Sequence, residues 1–304
     1  MKKVLFATTA LVATAGVAEH RLACRRRGQG IGFAMDDDST GVDSTDITSR
    51  FRLQIDATAE SDAGVVFGAR VRIQQGEGAG AGTNGARFFA RSGGFEVGVG
   101  NIFGALESMP GQYPIDLGLT GLGYEYTAYA GNADAYSSGG AGNSGDNGVE
   151  VMYSAGDLSV HVSASDSGDA ITRPGDRVAG VVAYTWNGWT FAVGAQDSDN
   201  ATDTDWTATA GGSFGMADVT LAYADNGTNG DRVVLAARFD VGAATDIEVY
   251  VADNDGGTAA GVVNDTGYGI DFNHDLGGGT SLRGGVAKLI NDDVVADMGV
   301  RFNF

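Results

Sequence analysis

The sequence predicts an all-β fold, a 16-stranded antiparallel transmembrane β-barrel. Three observations predict it. Runs of about ten residues alternate apolar and polar, the period of a strand with two unlike faces. The connections between runs alternate too, a tight Gly/Asp/Asn turn and then a longer Asp- and Gly-rich loop. One face of several runs carries arginines that no dry core could bury unpaired.

Composition narrows the class. The chain has 304 residues, with 50 Gly, 3 Pro and 19% charged residues. Gly without Pro argues against a disordered linker, and no G-X-Y period marks a collagen. The formal net charge of -20 speaks against a basic nucleic-acid surface, so nucleic acid is not an expected partner. A single Cys leaves no internal disulfide framework, which suits a bacterial envelope protein.

Residues 1–18 read as a secretory signal peptide. Met1-Lys2-Lys3 is a basic start, Val4 to Val17 an apolar run, and Gly16-Val17-Ala18 supplies small residues at a cleavage site. Residues 19–304 are then one barrel domain. Its first residues, Glu19 to Gly28, carry four arginines and a Cys where a first strand should begin. A local frameshift would explain this run, with the strand pattern resuming at Gly30-Ile31-Gly32-Phe33. No later stretch is long and apolar enough for a transmembrane helix.

The strands follow in order. Gly30 to Met35 is the first. In Ile47 to Ala59, Phe51, Leu53 and Ile55 share one face, and Arg50, Arg52, Gln54 and Asp56 the other. After the turn Ser61 to Gly64, Val65 to Gln74 sets Phe67, Ala69, Val71 and Ile73 against Gly68, Arg70, Arg72 and Gln74. Ala86 to Arg91 and Phe95 to Gly100 flank the turn Ser92-Gly93-Gly94. Gly148 to Ser154 and Asp157 to Ser165 flank Ala155-Gly156. Arg177 to Trp186 and Trp189 to Gln196 flank Asn187-Gly188, the strongest short hairpin signal available. Three further hairpins follow: Thr204 to Phe214 with Ala217 to Ala224, Arg232 to Asp240 with Asp246 to Ala252, and Thr266 to His274 with Thr280 to Leu289. Val294 to Phe304 ends the chain.

Closure of these strands satisfies every backbone donor and acceptor, as a bilayer core demands. The apolar faces meet lipid and the polar faces a water-filled lumen. Tyr184, Trp186, Trp189 and Phe191 around one turn suit an interfacial aromatic girdle. The rhythm fails once, between Asn101 and Asn147. A structureless stretch of that length in a domain is usually functional. Its early part, Ile102 to Met109, has the composition of a short helix ended before Pro110-Gly111; Gly131 to Gly148 is Gly/Ser/Asn-rich and reads as a return to the rim.

Other constellations are weaker. His161 in Ser159-Val160-His161-Val162-Ser163 lacks a recognisable catalytic motif, and no enzymatic activity is expected. Gly98-Val99-Gly100 lacks the remaining features of a dinucleotide fingerprint. No cofactor is expected. Asp36-Asp37-Asp38 and the acidic loops read as solvated surface; the alternative is Ca²⁺ bridging loops or lipopolysaccharide. A second functional class also stands beside the barrel: a secreted structural or adhesive Gly/Asp-rich β-protein. That class predicts a fixed short repeat, and the sequence has none.

The ending Leu276-Gly277-Gly278-Gly279-Thr280-Ser281-Leu282 through Val294-Val295-Ala296-Asp297-Met298-Gly299-Val300-Arg301-Phe302-Asn303-Phe304 resembles the last hairpin of general diffusion porins from α-proteobacteria of the Rhodobacter type. The opening MKKVLFATTALVATAG is similar as well. The resemblance implies an outer-membrane channel for passive diffusion of ions and small polar solutes, embedded in lipid and lipopolysaccharide, usually as a homotrimer. It implies that Phe304 is the signal read by the barrel assembly machinery. It implies that the third outer loop, here 101–147, folds inward to narrow the pore; the residues alone also permit an outward loop. The acids facing the wall would be Glu107 and Asp116, with Asp134 and Asp146 as further candidates. The wall cluster would be Arg50, Arg52, Arg70 and Arg72, with Arg87 and Arg91, whose facing is blurred by Phe88-Phe89.

Overall fold

Alternating side chains set each strand's two faces, and closure sets which face meets water. The computed structural model describes residues 20–26, 29–37, 43–76, 82–131, 136, 147–166, 176–199, 201 and 203–303. The expected signal peptide, Asp38, Asp134, Asp146 and Phe304 lie outside the described residues.

The first wall strand is β1 (His20–Arg26) followed by β2 (Gln29–Asp37). Both lie along β3 (Asp43–Glu60), β1 against Leu53 to Ala59 and β2 against Asp43 to Arg50. The arginine-rich run therefore joins the wall through its backbone, which residues of any type can supply. Next come β4 (Val66–Gly76), then β5 (Gly82–Thr83) and β6 (Arg87–Ser92), which both pair with β4. They are followed by β7 (Phe95–Asn101), β8 (Asn147–Ala155), β9 (Leu158–Asp166), β10 (Arg177–Trp186) and β11 (Trp189–Ser198). The rest are β12 (Asp205–Phe214), β13 (Ala217–Asp225), β14 (Asp231–Gly242), β15 (Thr245–Asp255), β16 (Thr266–Gly277), β17 (Thr280–Lys288) and β18 (Val294–Phe302). Each is antiparallel to its neighbour, and β18 pairs back onto β2 from Val294↔Asp37 to Phe302↔Gln29. With β1 continuing β2, and β5 continuing β6, the barrel is closed and 16-stranded, as expected.

Local chemistry explains the hairpins. Asn187 (φ 53) and Gly188 (φ 83) are both left-handed, the geometry of a two-residue turn that matches strand twist. Tyr184 pairs with Phe191 and Trp186 with Trp189 beside that turn. Tyr184, Trp186 and Phe191 are exposed on the outer face, as a girdle requires. Above them the outer face is aliphatic: Val182, Val193, Leu221, Leu235, Val251 and Ile270 all lie exposed. No helix among the described residues is long and apolar enough to cross a membrane; the crossing is by strands.

The buried apolar core is inside the barrel. It joins residues of the interrupting loop, including Leu106, Ile115, Leu117, Leu122 and Tyr126, to small inward residues of the wall such as Ala179, Ala183, Ala192, Ala222, Ala236 and Ala287.

Candidate functional site

The loop begins where β7 ends and turns into the barrel at once. Phe103 N and Gly104 N donate to Glu150 Oε2 on β8, at 3.0 and 3.3 Å, and Ala105 N donates to Ser163 Oγ on β9 at 3.0 Å. Glu150 Oε1 accepts from Arg87 Nε at 2.5 Å, and His161 Nε2 lies 2.9 Å from Glu150 Oε2. The Phe103 ring covers the Arg87 guanidinium, 4.1 Å from its centroid. The expected short helix does not form. Gly104 is left-handed (φ 76), and the wall has taken the backbone donors on either side of it. Residues 105–108 make a turn, with Ser108 N donating to Gly104 O.

From there the loop follows the inner wall. Leu106 and Met109 sit over Gly194 of β11, where a Cβ would come within 2.5 Å of Leu106 Cδ2. Thr209 Oγ1 of β12 donates to Pro110 O at 2.6 Å. Then three wall carboxylates accept successive loop amides. Asp116 N donates to Glu248 Oε2 (3.0 Å), and Gly118 N to Asp271 Oδ2 (2.5 Å). Asp297 accepts Leu119 N at 2.9 and 3.0 Å, Thr120 N at 2.7 Å and Thr120 Oγ1 at 2.6 Å. Leu119 fills the space left by Gly30, Gly32 and Gly299. The chain then returns. Ile290 N donates to Glu125, Tyr129 Oη donates to Asp205 Oδ2 at 3.0 Å, and Ala130 N donates to Asn226 Oδ1 at 3.0 Å. Tyr136 ends up against Arg72 on β4, 4.7 Å from ring centroid to guanidinium. The loop thus folds inward, as the resemblance implies.

What the wall does not cover faces the lumen. Asp116 is exposed and forms ion pairs with Arg283 (2.9 Å) and Arg301. Burial alone would raise its pKa; the hydrogen bonds and charges of Arg301 and Arg283 outweigh burial and hold it below the ordinary aspartate value. Glu107 is half-buried and accepts from Tyr113 Oη at 2.8 Å. Its carboxyl is pushed up by burial, with that hydrogen bond pulling the other way.

Arg50, Arg52, Arg70 and Arg72 share the inward face, as their parity predicts. Arg52 Nε donates to Gln74 Oε1 (2.6 Å), Arg70 pairs with Asp56 (2.5 Å), and Arg72 donates to Gln54 Oε1 (3.3 Å). Arg50 and Arg301 are both cross-strand partners of Gly30, so they sit at one height on the wall. Phe88 points outward and is exposed, which sets Arg87, Phe89 and Arg91 inward and resolves the blurred parity. One expectation is corrected here. Arg87 is 1% exposed, sealed by Glu150, Glu96 and Phe103, so it does not face the lumen. Glu107 is held by Tyr113 of the loop itself and Asp116 by Arg283 and Arg301 of β17 and β18, while the loop meets β4 through Phe103 over Arg70 and Tyr136 over Arg72. Arg91 lies beside the Ser92 to Gly94 turn, away from the loop.

The anchoring acids Glu150, Glu248, Asp271 and Asp297 were not singled out from sequence. Each stands at an inward position between outward apolar residues, as in Ile247-Glu248-Val249 and Ile270-Asp271-Phe272, and Glu248 shares its inward face with Asp246. An inward acid between outward apolar residues is the readable signal. Among the described residues, no three His, Cys, Asp or Glu side chains come together as a metal site.

The comparisons agree with this geometry. A family model described as Gram-negative porin matches residues 7–294. A porin from Fuscovulum blasticum is 31% identical over 284 residues, covering 89% of this chain and 95% of its own length. A porin from Rhodobacter capsulatus is 30% identical over 294 residues, covering 86% and 95%. The structure of an engineered triple mutant of Rhodopseudomonas blastica porin superposes with a TM-score of 0.80 at 27% identity, over 93% of this chain and all of that one. The family model spans nearly the whole chain and both porins cover more than two thirds of it at 30% identity or above, so the chain belongs to the Gram-negative porin family.

Proposed function

We propose that the selective part of this outer-membrane channel is the gap between the loop surface bearing Glu107 and Asp116 and the wall bearing Arg50, Arg52, Arg70 and Arg72. One observation carries the reading: the loop packs its apolar side onto the small inward residues of β10 to β17 and leaves Asp116 exposed and Glu107 half-buried inside the barrel that the arginines line. Opposed charges across a narrow passage create a transverse field. Polar solutes align with such a field, while apolar solutes must displace ordered water. Arg87 is left out of this set because it is buried, and Arg91 because it lies at the short-turn rim. Catalysis has no place in the reading: His161 is buried against Glu150 and positions the loop. The proposal includes a homotrimer in lipid and lipopolysaccharide, assembled through the barrel machinery with Phe304 as its signal.

Single-channel recording in a planar bilayer tests the reading. The parent should show discrete steps in KCl. Under a salt gradient, Glu107→Gln should shift the reversal potential toward anions and Arg52→Gln toward cations. Folded protein without conducting steps, or two variants with identical reversal potentials, would refute it. Heat-modifiable gel migration and size-exclusion mass report the trimer.

A further inference from the structure

The loop leaves two tyrosine rings half in the lumen. Tyr113 is 47% exposed and Tyr124 46%, while Tyr126 and Tyr129 on the same loop are buried. Large aromatic rings left in water beside a carboxylate are an unusual use of apolar surface. The backbone holds Tyr124 there under strain: Leu122 (φ 41) and Tyr124 (φ 59) are both left-handed without being glycine. The ring is seated over Gly121, where any Cβ would overlap it. Tyr113 is fixed from the other side by its hydrogen bond to Glu107. The Tyr124 ring packs on one side against Tyr126, 5.7 Å between centroids, and keeps the rest of its surface in water.

We propose that Tyr113, Tyr124 and Glu107 form a binding site for organic ammonium ions, which the channel retains briefly during passage. The inference rests on the pore reading above. Ring faces attract a poorly hydrated cation, and a quaternary or aryl-substituted ammonium also covers their apolar surface. Glu107 supplies the opposite charge. Among the described residues no cationic side chain pairs with it, whereas Asp116 is matched by Arg283 and Arg301. Burial already disfavours the Glu107 anion, so a cation arriving beside it relieves that penalty. Potassium, small and strongly hydrated, gains little from the rings and passes.

The test is block of KCl current by benzyltrimethylammonium, in the folded full-length protein, with benzyl alcohol as the uncharged control. The parent should be blocked by the cation and not by the alcohol. Tyr113→Leu and Tyr124→Leu should each weaken block roughly threefold to tenfold, and Glu107→Gln about tenfold. Tyr113→Phe and Tyr124→Phe keep the rings and should retain block within about twofold. KCl conductance and gel migration confirm that each variant is folded. Normal KCl steps with no block of the parent, equal block by the alcohol, or block unchanged in Glu107→Gln and both Leu variants would overturn the ammonium site while leaving the pore intact. Absence of KCl steps in the parent would overturn the pore reading and this inference together.

Discussion

Removing the Asp297 carboxylate should release the far end of the loop. That carboxylate, 6% exposed, accepts two backbone amides and one hydroxyl from Leu119 and Thr120. Hydrogen bonds to a charged group contribute about 1.5–3 kcal/mol each. The freed donors can turn to lumen water, so Asp297→Ala should cost the local structure about 3–4 kcal/mol rather than the full sum. At about 1.4 kcal/mol per tenfold, amide hydrogen exchange at Leu119 and Thr120 should quicken by roughly two to three decades. Gly118 N, held separately by Asp271 at 2.5 Å, should quicken less. Asp297→Asn keeps the oxygen acceptor and should fall between. Single channels of Asp297→Ala should show greater open-state noise, because the loop end then moves within the lumen. Exchange at Leu119 and Thr120 equal to the parent would refute the carboxylate latch, and with it the account of why the loop stays inside.

Breaking the loop root by Glu150→Ala leaves buried Arg87 with Glu96 alone and the Phe103 and Gly104 amides without their acceptor; it should destabilise by about 2–3 kcal/mol, seen as heat-modifiable migration shifting at a lower temperature. Gly194→Val drives a side chain into Leu106 and Met109 and should cost about 1–3 kcal/mol in the same assay, with altered conductance as the loop lifts. Glu107 has a raised carboxyl pKa, so it binds its proton before an ordinary glutamate as pH falls from 7. Cation preference in reversal-potential measurements should therefore decline on mild acidification, and Glu107→Gln should lack that component. Asp116 behaves oppositely. Its pKa is depressed, so the tether to Arg283 and Arg301 is fully present above about pH 4 and is lost only as pH falls through the still lower folded value. Val182→Arg on the lipid face should cost about 2–4 kcal/mol if it lies near the bilayer midplane, measured by urea unfolding in vesicles.

The strand plan was legible because a strand's period is two and a lipid-facing barrel uses both faces fully. Ile47 to Ala59 falls within β3, and the Asn187-Gly188 hairpin adopts the turn its residues require. The arginine face at residues 50, 52, 70 and 72 was readable by the same parity. Which wall the loop would choose was not read. Loop partners are residues far apart in sequence, such as Leu119 with Asp297, and no local period encodes them. The expected helix at 102–109 failed for the same reason: composition favoured it, but Glu150 and Ser163 compete for its first backbone donors. Arg87 was placed at the pore because its type matched, when the decisive fact was Phe103 lying over it.

Inward side-chain size carries the choice of wall. From β10 to β18 many inward positions are small: Ala179, Ala183, Ala192, Gly194, Ala222, Ala224, Ala236, Ala252, Gly269, Gly285 and Gly299. On β3, β4 and β6 they are long: Arg50, Arg52, Gln54, Arg70, Arg72, Gln74 and Arg87. A barrel wide enough to conduct has no room for a core of its own, since opposite walls do not touch. The loop supplies one, and it can bury Leu106, Leu117, Leu119 and Leu122 only where the wall leaves space. Over β4 and β6 the long side chains leave no such space, and the described loop residues meet them through ring faces, Phe103 over Arg70 and Arg87 and Tyr136 over Arg72. One partition of residue size therefore seats the loop's apolar side and leaves Tyr113, Asp116 and Tyr124 exposed. Exchanging the partition at one place should move the balance: a bulky residue at Gly194 lifts Leu106 and Met109 from their seat.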